Sequence, residues 1–426
     1  MKKKVLLQGI IVGFALFSTF FGAGNLIFPP QIGVDSGQAW WLSSIGLFLS
    51  GILLPVIAVI AVQNSGENMR AVLDPVAPWF YTLFNGIMIL MLAMTSTMPK
   101  LSATTHEMGV MALTDKIPLP VTVVTFFIVV YVLTSDAKSV VDKLGKYLTP
   151  ALIVALLIIV VAAIVKPIGT PVDTGIKKPF IDAFITGYNT GDLTLGILCA
   201  NLFFNALKEK GLTKEERKQG IYVTAITAIT GLTVIYIGLL YLGATGQAFA
   251  QEDMSMATLL IILVEQLLGK FGAIVLAIIV MLACITTGVG IATIAGEFIS
   301  EATKGKISYK QALIIVCIVG SFLGVLGVNR IVGYASFMFA VIYPVCIVLT
   351  FLGLIRPFFN NDGAFKGGVL MAALVSFFDT LANMGIGKDA IGGILGYMPW
   401  AELGFSWLLP SIVGIVVGSI IYKKKA

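Results

Sequence analysis

Long apolar runs, separated by short polar stretches, dominate the hydrophobic pattern of the chain. The hydrocarbon core of a bilayer is about 30 Å thick, and an α-helix needs about 20 apolar residues to cross it. Barrel strands would instead alternate between apolar and polar positions. The pattern therefore predicts an all-α, multi-pass membrane protein with about twelve transmembrane helices, roughly at 5–29, 39–62, 76–98, 119–134, 147–166, 186–207, 221–245, 270–299, 311–328, 331–355, 366–384 and 403–422.

Two further stretches bear on this pattern. The third run could continue to about residue 113 as one long helix, because the chain after Pro99 has little turn chemistry. Residues 256–268 are apolar, but they are too short and too closely flanked by acids to span a bilayer. We interpret them as a re-entrant or surface helix.

Composition excludes a water-soluble globular fold. Only 12% of the residues are charged and 58% are hydrophobic, whereas soluble domains carry about 25% charged residues. The single histidine, His106, leaves no histidine-based metal cluster or catalytic triad. The cysteines lie singly in apolar stretches and are interpreted as small buried hydrophobes; they are Cys199, Cys284, Cys317 and Cys346.

The basic residues are unevenly distributed over the predicted loops. If the N-terminus is cytoplasmic, 20 of the 28 Lys and Arg residues lie in cytoplasmic segments and 8 lie outside. Cytoplasmic loops of membrane proteins carry an excess of Lys and Arg. We therefore predict that both termini are cytoplasmic, and the net charge of +6 needs no nucleic-acid partner to explain it.

Glycine and polar residues interrupt the first run. Gly22, Gly24 and Asn25 are followed by Pro29 and Pro30, and this combination should unwind the helix near the glycines. Unwound backbone is tolerated at membrane depth only where it lines a cavity or is buried in protein. Freed carbonyls can hold a cation, and the N–H groups of the resumed helix can bind a carboxylate. The alternative is a glycine-rich packing kink.

A second break is predicted in the sixth run, at residues 186–194. Gly187 and Gly191 stand in a dense polar set ahead of a long apolar half-helix. Asp192 is an acid within a span, which is costly unless it meets water, a partner or an ion. The alternative is that the span starts at Leu193 and that the motif is an external loop.

The first and sixth runs cross the membrane in opposite directions because they are five spans apart. Paired broken helices in corresponding positions of two halves are typical of inverted-repeat transporters. We therefore predict a first repeat at 1–166, a second at 186–355 and peripheral helices at 366–426.

A third candidate group lies in the eighth run. Ala283, Thr286 and Thr287 are spaced i, i+3 and i+4, so they share one helical face. Two hydroxyls beside a backbone carbonyl suit a hard monovalent cation, which prefers oxygen ligands. The alternative is that each threonine bonds to a carbonyl of its own helix.

The polar segment 99–107 leaves two interpretations open. It is either a stripe of the third helix that faces a cavity, with Thr104 and Glu107 as candidate site residues, or an external loop. Pairs such as Gly320/Gly324 and Gly414/Gly418 are interpreted as helix-packing contacts.

Several of these motifs resemble one known family. Phe14–Phe17 followed by Phe21–Pro30 is similar to the signature of the bacterial branched-chain amino acid:cation symporters, the BrnQ-type carriers. Gly187–Asp192 and Cys284–Thr287 are also similar to that family. The resemblance covers the whole chain. It implies a LeuT-like fold, with a five-plus-five inverted repeat, discontinuous helices 1 and 6, and two peripheral helices.

The resemblance also implies roles for individual residues. One sodium ion would be bound by the carbonyls of Ser18, Phe21 and Ala283 and the hydroxyls of Thr286 and Thr287. The substrate carboxylate would meet the backbone at Gly22, Ala23, Gly24 and Asn25. The substrate ammonium would meet the backbone around Gly187, Tyr188, Asn189 and Thr190.

We therefore expect sodium-coupled symport of leucine, isoleucine or valine into the cell by alternating access, in a bacterial cell membrane. The expected partners are this small-molecule substrate and the lipid bilayer, with Na⁺ as coupling ion and no organic cofactor. A proton-coupled carrier of other neutral amino acids is the alternative, with Asp192 or Glu107 as its acid. A membrane-embedded enzyme or a channel is a remote alternative, since catalytic motifs and a repeated filter motif are absent from the sequence. The sequence leaves the oligomeric state open.

Overall fold

The computed structural model describes residues 2–135, 146, 149–188, 190–251 and 254–422, and this part of the chain contains helices and no strand. Seven helical runs in it are long and apolar enough to cross a membrane, and an eighth is added if Pro179–Tyr188 and Asp192–Glu209 form one interrupted span. Shorter apolar helices accompany them. The prediction of an all-α, multi-pass membrane protein is confirmed, whereas the exact number of spans stays a prediction.

The α-helices of the described part are numbered in chain order. They are α1 (Lys3–Phe20), α2 (Ala23–Ser36), α3 (Trp40–Leu47), α4 (Leu54–Asn64), α5 (Arg70–Leu73), α6 (Phe80–Ile89), α7 (Thr97–Thr104), α8 (Leu119–Thr134), α9 (Thr149–Val165), α10 (Pro179–Tyr188), α11 (Asp192–Glu209), α12 (Lys214–Thr245), α13 (Met256–Ala302), α14 (Tyr309–Gly324), α15 (Val328–Ile355), α16 (Asp362–Asn383), α17 (Lys388–Leu395) and α18 (Leu408–Ile421). Three π-helical turns lie among them: π1 (Phe48–Leu53), π2 (Leu90–Thr95) and π3 (Thr105–Val110).

The helix of the first run stops and restarts at two residues. Helix α1 ends at Phe20, Phe21 has φ −76° and ψ 79°, and Gly22 is extended at φ −102° and ψ −174°. Helix α2 then begins at Ala23, so its first turn includes Asn25. The interruption is therefore shorter than the unwound stretch that the sequence suggests.

Helical structure in the third run continues well beyond Pro99. Helices and π-turns follow one another from Phe80 to Val110, with one non-helical residue at Ser96 (φ −125°, ψ −78°). Residues 97–104 are all buried. The interpretation of segment 99–107 as an external loop is wrong, and Lys100 in α7 is only 8% exposed.

The apolar stretch at 256–268 is helical, as predicted. It forms the first part of α13 and is separated from the rest of that helix by Gly269, whose φ of 62° and ψ of −154° are not helical. Glycine reaches positive φ without steric cost. The kink therefore falls where the sequence pattern separates a short helix from the eighth run.

The described chain divides into two compact units. The first comprises Met1–Ile52, Ile89–Thr190 and Leu202–Val332, and in it α1 and α2 both pack along α12. A methyl group on Gly33 of α2 would collide with the backbone of α12, and the same holds for Gly243 of α12 against α2. Helix α13 of this unit packs against α2, α9 and α14.

The second unit comprises Leu53–Met88, Gly191–Asn201 and Gly333–Ala426. Its most extensive helix pair is α16 with α18. Facing glycines bring the two backbones into direct contact, since a methyl group on any of them would overlap the opposite helix; they are Gly363, Gly367, Gly414 and Gly418. The prediction that Gly414 and Gly418 form a helix-packing contact is confirmed.

Candidate functional site

The end of α1 is joined to the middle of α13 by two threonine hydroxyls. Thr286 Oγ1 and Thr287 Oγ1 each donate a hydrogen bond to the carbonyl oxygen of Ser18, both at 3.1 Å. Thr286 Oγ1 also lies 3.0 Å from the carbonyl oxygen of Ala283. The last carbonyls of a helix have no partner within it, so α13 supplies the partners that the end of α1 lacks.

This arrangement gathers neutral oxygen atoms at a cation-sized spacing. Two oxygens that each lie about 2.4 Å from an ion, at roughly a right angle, are about 3.4 Å apart, close to the separations seen here. Ser18, Ala283 and Thr286 are fully buried, and Thr287 is 3% exposed. A hydroxyl can turn its proton away and present a lone pair, so the same four atoms can act as ligands.

Phe21 stands at the interruption between α1 and α2. Its ring is fully buried and stacks on Phe17, with ring centroids 5.4 Å apart and planes inclined by 7°. Gly22 follows, and a methyl group on it would lie 3.2 Å from Thr287 Oγ1. The backbone of the first break therefore lies directly beside the threonine pair.

The side chain of Asn25 closes the break from the other side. Its Nδ2 donates a hydrogen bond to the Phe20 carbonyl at 2.5 Å and another to the hydroxyl of Tyr236 on α12. Both Asn25 and Tyr236 are buried. The amide thus links the end of α1, the first turn of α2 and α12.

The first turn of α2 presents backbone N–H groups without a side-chain cap at Gly22. Ala23 and Gly24 are its first two residues. The N-terminal end of a helix carries a partial positive charge and unpaired donors, which favour a carboxylate or another anion. The break thus places a cation-compatible oxygen group and an anion-compatible helix end next to each other.

The second predicted break lies at the junction of α10 and α11. Gly187 and Tyr188 are buried at the end of α10, so the interpretation of this part as an external loop is wrong. Thr190 Oγ1 donates to the Gly187 carbonyl at 2.8 Å. Asn189 lies outside the described residues. Asp192, the first residue of α11, is 3% exposed and belongs to the second unit.

Close packing explains why residue 187 is glycine. A methyl group there would overlap the hydroxyl of Ser50 and lie 3.1 Å from the backbone nitrogen of Gly51, both in π1. Helix α10 packs mainly on α3, the helix that leads into π1, and it also contacts α2. The close contact with the second run of the chain therefore leaves no room for a side chain at residue 187.

Thr104 and Glu107 occupy different surroundings. Thr104 is buried in α7. The Glu107 carboxylate, in π3, accepts a hydrogen bond from the backbone nitrogen of Val328, the first residue of α15, at 3.2 Å. This is the position of a helix N-terminal cap, so the structure gives Glu107 a contact that the sequence does not suggest.

The structure therefore brings one group of the predicted residues together. The residues of the first break lie beside Ala283, Thr286 and Thr287 of α13. Sequence reasoning missed Tyr236, which contacts the first break at Asn25, and Ser50, which contacts the second break at Gly187. The only sequence signal for either is a polar side chain within an apolar run. Many such residues bond only to their own helix, as Thr293 does with the Val289 carbonyl at 2.8 Å.

Comparison with known proteins identifies the family of the chain. The sequence model of the family described as "Branched-chain amino acid transport protein" matches residues 6–425. The chain belongs to this family. It is 31% identical over 422 residues to the branched-chain amino acid permease BraB of Bacillus subtilis (strain 168). The matched region covers 97% of this chain and 95% of BraB. The family resemblance stated from the motifs is confirmed.

Solved structures of similar fold are also transporters. MhsT in complex with L-phenylalanine matches with a TM-score of 0.58 and 15% identity over 96% of this chain and 98% of that one. The substrate-bound, outward-open state of a Na⁺-coupled sialic acid symporter matches with a TM-score of 0.60 and 14% identity, over 98% and 94%. These neighbours show a LeuT-type fold, and membership of the branched-chain amino acid transport family makes the chain a multi-pass membrane transporter and not an enzyme.

Proposed function

We propose that this transporter carries leucine, isoleucine and valine into the cell together with sodium, by alternating access. The observation that carries the proposal is the oxygen group formed by the carbonyls of Ser18 and Ala283 and the hydroxyls of Thr286 and Thr287. Neutral oxygens suit a hard monovalent cation. The carbonyl of Phe21, at the break, would complete the set.

The substrate would bind at the two breaks. Its carboxylate would meet the backbone at Gly22, Ala23, Gly24 and Asn25, where the N-terminal end of α2 favours negative charge. Its ammonium would meet carbonyls around 187–190. Such a site needs few ionisable side chains, because helix ends and one cation balance the charges of a zwitterion.

The proposal extends to topology. Inverted repeats at 1–166 and 186–355, with peripheral helices at 366–426, would place the two breaks at equivalent positions of opposite orientation. The excess of basic residues in alternate loops supports cytoplasmic termini in a bacterial cell membrane. Labelling of cysteines added at either end of the chain, in intact and in permeabilised cells, tests this orientation.

Leucine uptake into proteoliposomes tests the coupling ion. An inward sodium gradient should drive accumulation that a proton gradient alone does not. Equal uptake with a proton gradient in the absence of sodium would overturn sodium coupling and favour the proton-coupled alternative. Isoleucine and valine should compete with labelled leucine, whereas lysine and aspartate should not.

Threonine variants locate the ion. Thr286→Val and Thr287→Val each remove one oxygen while keeping the side-chain shape, and they should raise the sodium concentration for half-maximal uptake by roughly tenfold or more. Thr293→Val is the matched control, because Thr293 is also buried in α13 and its hydroxyl bonds to its own helix. An unchanged sodium dependence in both site variants would remove these residues from the ion site.

A further inference from the structure

The loop that connects α9 to α10, residues 166–178, crosses the C-terminal end of α2; we call it the strap. The Val172 carbonyl of the strap accepts a hydrogen bond from the backbone nitrogen of Gln38 at 3.0 Å. The Thr174 hydroxyl donates to the carbonyl oxygen of Asp35 at 2.8 Å. The strap is therefore bonded to the last turn of α2 and to the residues that follow it.

One side chain, Gln247, joins the strap to α2 a third time. It follows α12, and its Oε1 accepts a hydrogen bond from the Val172 nitrogen while its Nε2 donates to the Val34 carbonyl, both at 2.8 Å. Gly37 leaves room for this approach. Its φ is +48°, and a side chain on it would come within 2.8 Å of Gln247 Nε2 and collide with the Val172 carbonyl.

The two amide atoms of Gln247 each form a hydrogen bond with a backbone group, the Val34 carbonyl or the Val172 nitrogen, that has no partner from regular secondary structure. The Val34 carbonyl is one of the last four carbonyls of α2. These carbonyls accept no hydrogen bond from a backbone N–H group of the same helix. The Val172 nitrogen belongs to a loop segment that the structure assigns to no helix. A glutamine side chain is suited to this link because its amide offers a donor and an acceptor at once.

Direct backbone packing also holds α2 on α12. A methyl group on Gly33 would lie 2.7 Å from the Ala244 nitrogen and closer still to the Leu240 carbonyl oxygen. Gln247 lies two residues after the end of α12 and bonds to α2 within one helical turn of this contact. The strap is thus attached to a pair of helices that already contact each other without intervening side chains.

We infer that Gln247 is a positioning residue for transport: it keeps the strap on the end of α2, so that the two move together when the break at Phe21–Gly22 changes conformation. The inference rests on the alternating-access mechanism proposed above. Helix α2 has 14 residues, so the strap lies about 20 Å along the helix from the break. Gln247 should therefore affect the rate of the conformational change more than the binding of substrate or ion.

Leucine exchange in proteoliposomes, without an ion gradient, measures this rate independently of which ion drives uptake. Gln247→Ala removes both hydrogen bonds and should weaken docking of the strap by roughly tenfold or more. We expect a severalfold lower maximal exchange rate with unchanged half-saturating leucine and sodium concentrations. Gln251→Ala, at an exposed glutamine four residues further on, is the matched control and should exchange at the wild-type rate.

A cross-link separates positioning from a general loss of structure. Gln38→Cys with Val172→Cys places two thiols on residues whose backbones are hydrogen-bonded, and oxidation should bond the strap to the turn that directly follows α2. We expect the oxidised pair to exchange at the wild-type rate and to restore the rate lost in Gln247→Ala. The oxidised wild-type protein controls for the native cysteines, which are free and of which Cys199, Cys284 and Cys346 are buried.

Each outcome decides the inference. An unchanged rate in Gln247→Ala, raised half-saturating concentrations with no change in rate, or failure of the cross-link to restore the rate would overturn it. Inhibition by the cross-link in the wild-type background would also overturn it, because the strap would then have to leave α2 during transport. If Gln247→Ala does not fold, Thr174→Ala removes one bond of the same strap and is tested in the same way. A proton-coupled result in the uptake assay would remove the comparison of sodium concentrations, and the exchange rates and half-saturating leucine concentrations would still decide the inference.

Discussion

Gly33 offers a sharp test of how α2 is held. A methyl group at this position would lie 2.7 Å from the Ala244 nitrogen, 3.0 Å from the Leu240 carbonyl carbon and nearer still to the Leu240 oxygen. All three atoms belong to the backbone of α12, so no side-chain rotation can relieve the overlap. Gly33→Ala should therefore force α2 away from α12.

The size of the effect follows from the overlap. Ordinary contacts of a methyl carbon begin near 3.4 Å and the Leu240 oxygen would lie at 2.0 Å, so the helix must move by about 1.4 Å along part of its length. A gap of about 0.5–1 Å forfeits roughly a quarter to a half of each pairwise dispersion energy. Overpacking of this kind costs about 1–3 kcal/mol. The first turn of α2 would also shift, so leucine uptake should fall.

Thermal unfolding of the detergent-solubilised protein, followed by size-exclusion chromatography, measures the cost. We expect the apparent midpoint of Gly33→Ala to fall by roughly 1–3 °C and its leucine uptake to be severalfold lower. Gly86→Ala is the matched control, because Gly86 lies inside α6 with no atom near the added methyl group. It should be neutral or slightly stabilising. Wild-type stability and uptake in Gly33→Ala, or an equal loss in Gly86→Ala, would refute the reasoning.

Three further changes have defined outcomes. Glu107→Ala removes the acceptor for the Val328 nitrogen and should lower the free energy of unfolding by about 1.5–3 kcal/mol. Glu107→Gln keeps an acceptor and should lower this free energy by less, and the thermal midpoints of the two variants compare them. Gly367→Ala should separate α16 from α18 and lower the midpoint by roughly 1–3 °C, since its methyl group would overlap the backbone of α18; an unchanged midpoint would contradict the contact. Tyr236→Phe removes one hydrogen-bond partner of the Asn25 amide and should cost about 1 kcal/mol, seen as a lower midpoint with the sodium dependence of uptake unchanged.

Hydrophobic pattern was sufficient for the class of fold, because burial in lipid demands long apolar helices whatever their arrangement. Local backbone chemistry located the interruption at the glycines near residue 22 as well, whereas the kink at Gly269 was marked only by the division between the short apolar stretch at 256–268 and the eighth run. At Pro99 it left both a long helix and an external loop open, and the structure has the helix. Pro99 lies in the first turn of α7, where a missing N–H costs little, and its polar neighbours are buried by tertiary contacts.

The site divides in the same way. Thr286 and Thr287 could be predicted as a pair because i, i+3 and i+4 spacing fixes a helical face. Their bond to the Ser18 carbonyl joins residues 268 and 269 positions apart, and here the family resemblance, not the spacing, supplied the expectation. The contact between Asn25 and Tyr236 spans 211 positions. Nothing local in either segment encodes it, so it emerges only from the packing of α2 on α12.

The π-turns have a consequence for how the chain tolerates changes of length. In each of them a hydrogen bond joins residues five positions apart, whereas in an α-helix it joins residues four positions apart. A π-turn is therefore equivalent to one residue inserted into an α-helix. Deleting one residue within π1 would return that segment to α-helical spacing and leave the faces of α3 and α4 in register. The same deletion inside α4 would rotate every later side chain of the helix by about 100°. Natural variation in the length of these spans should therefore concentrate at the three π-turns.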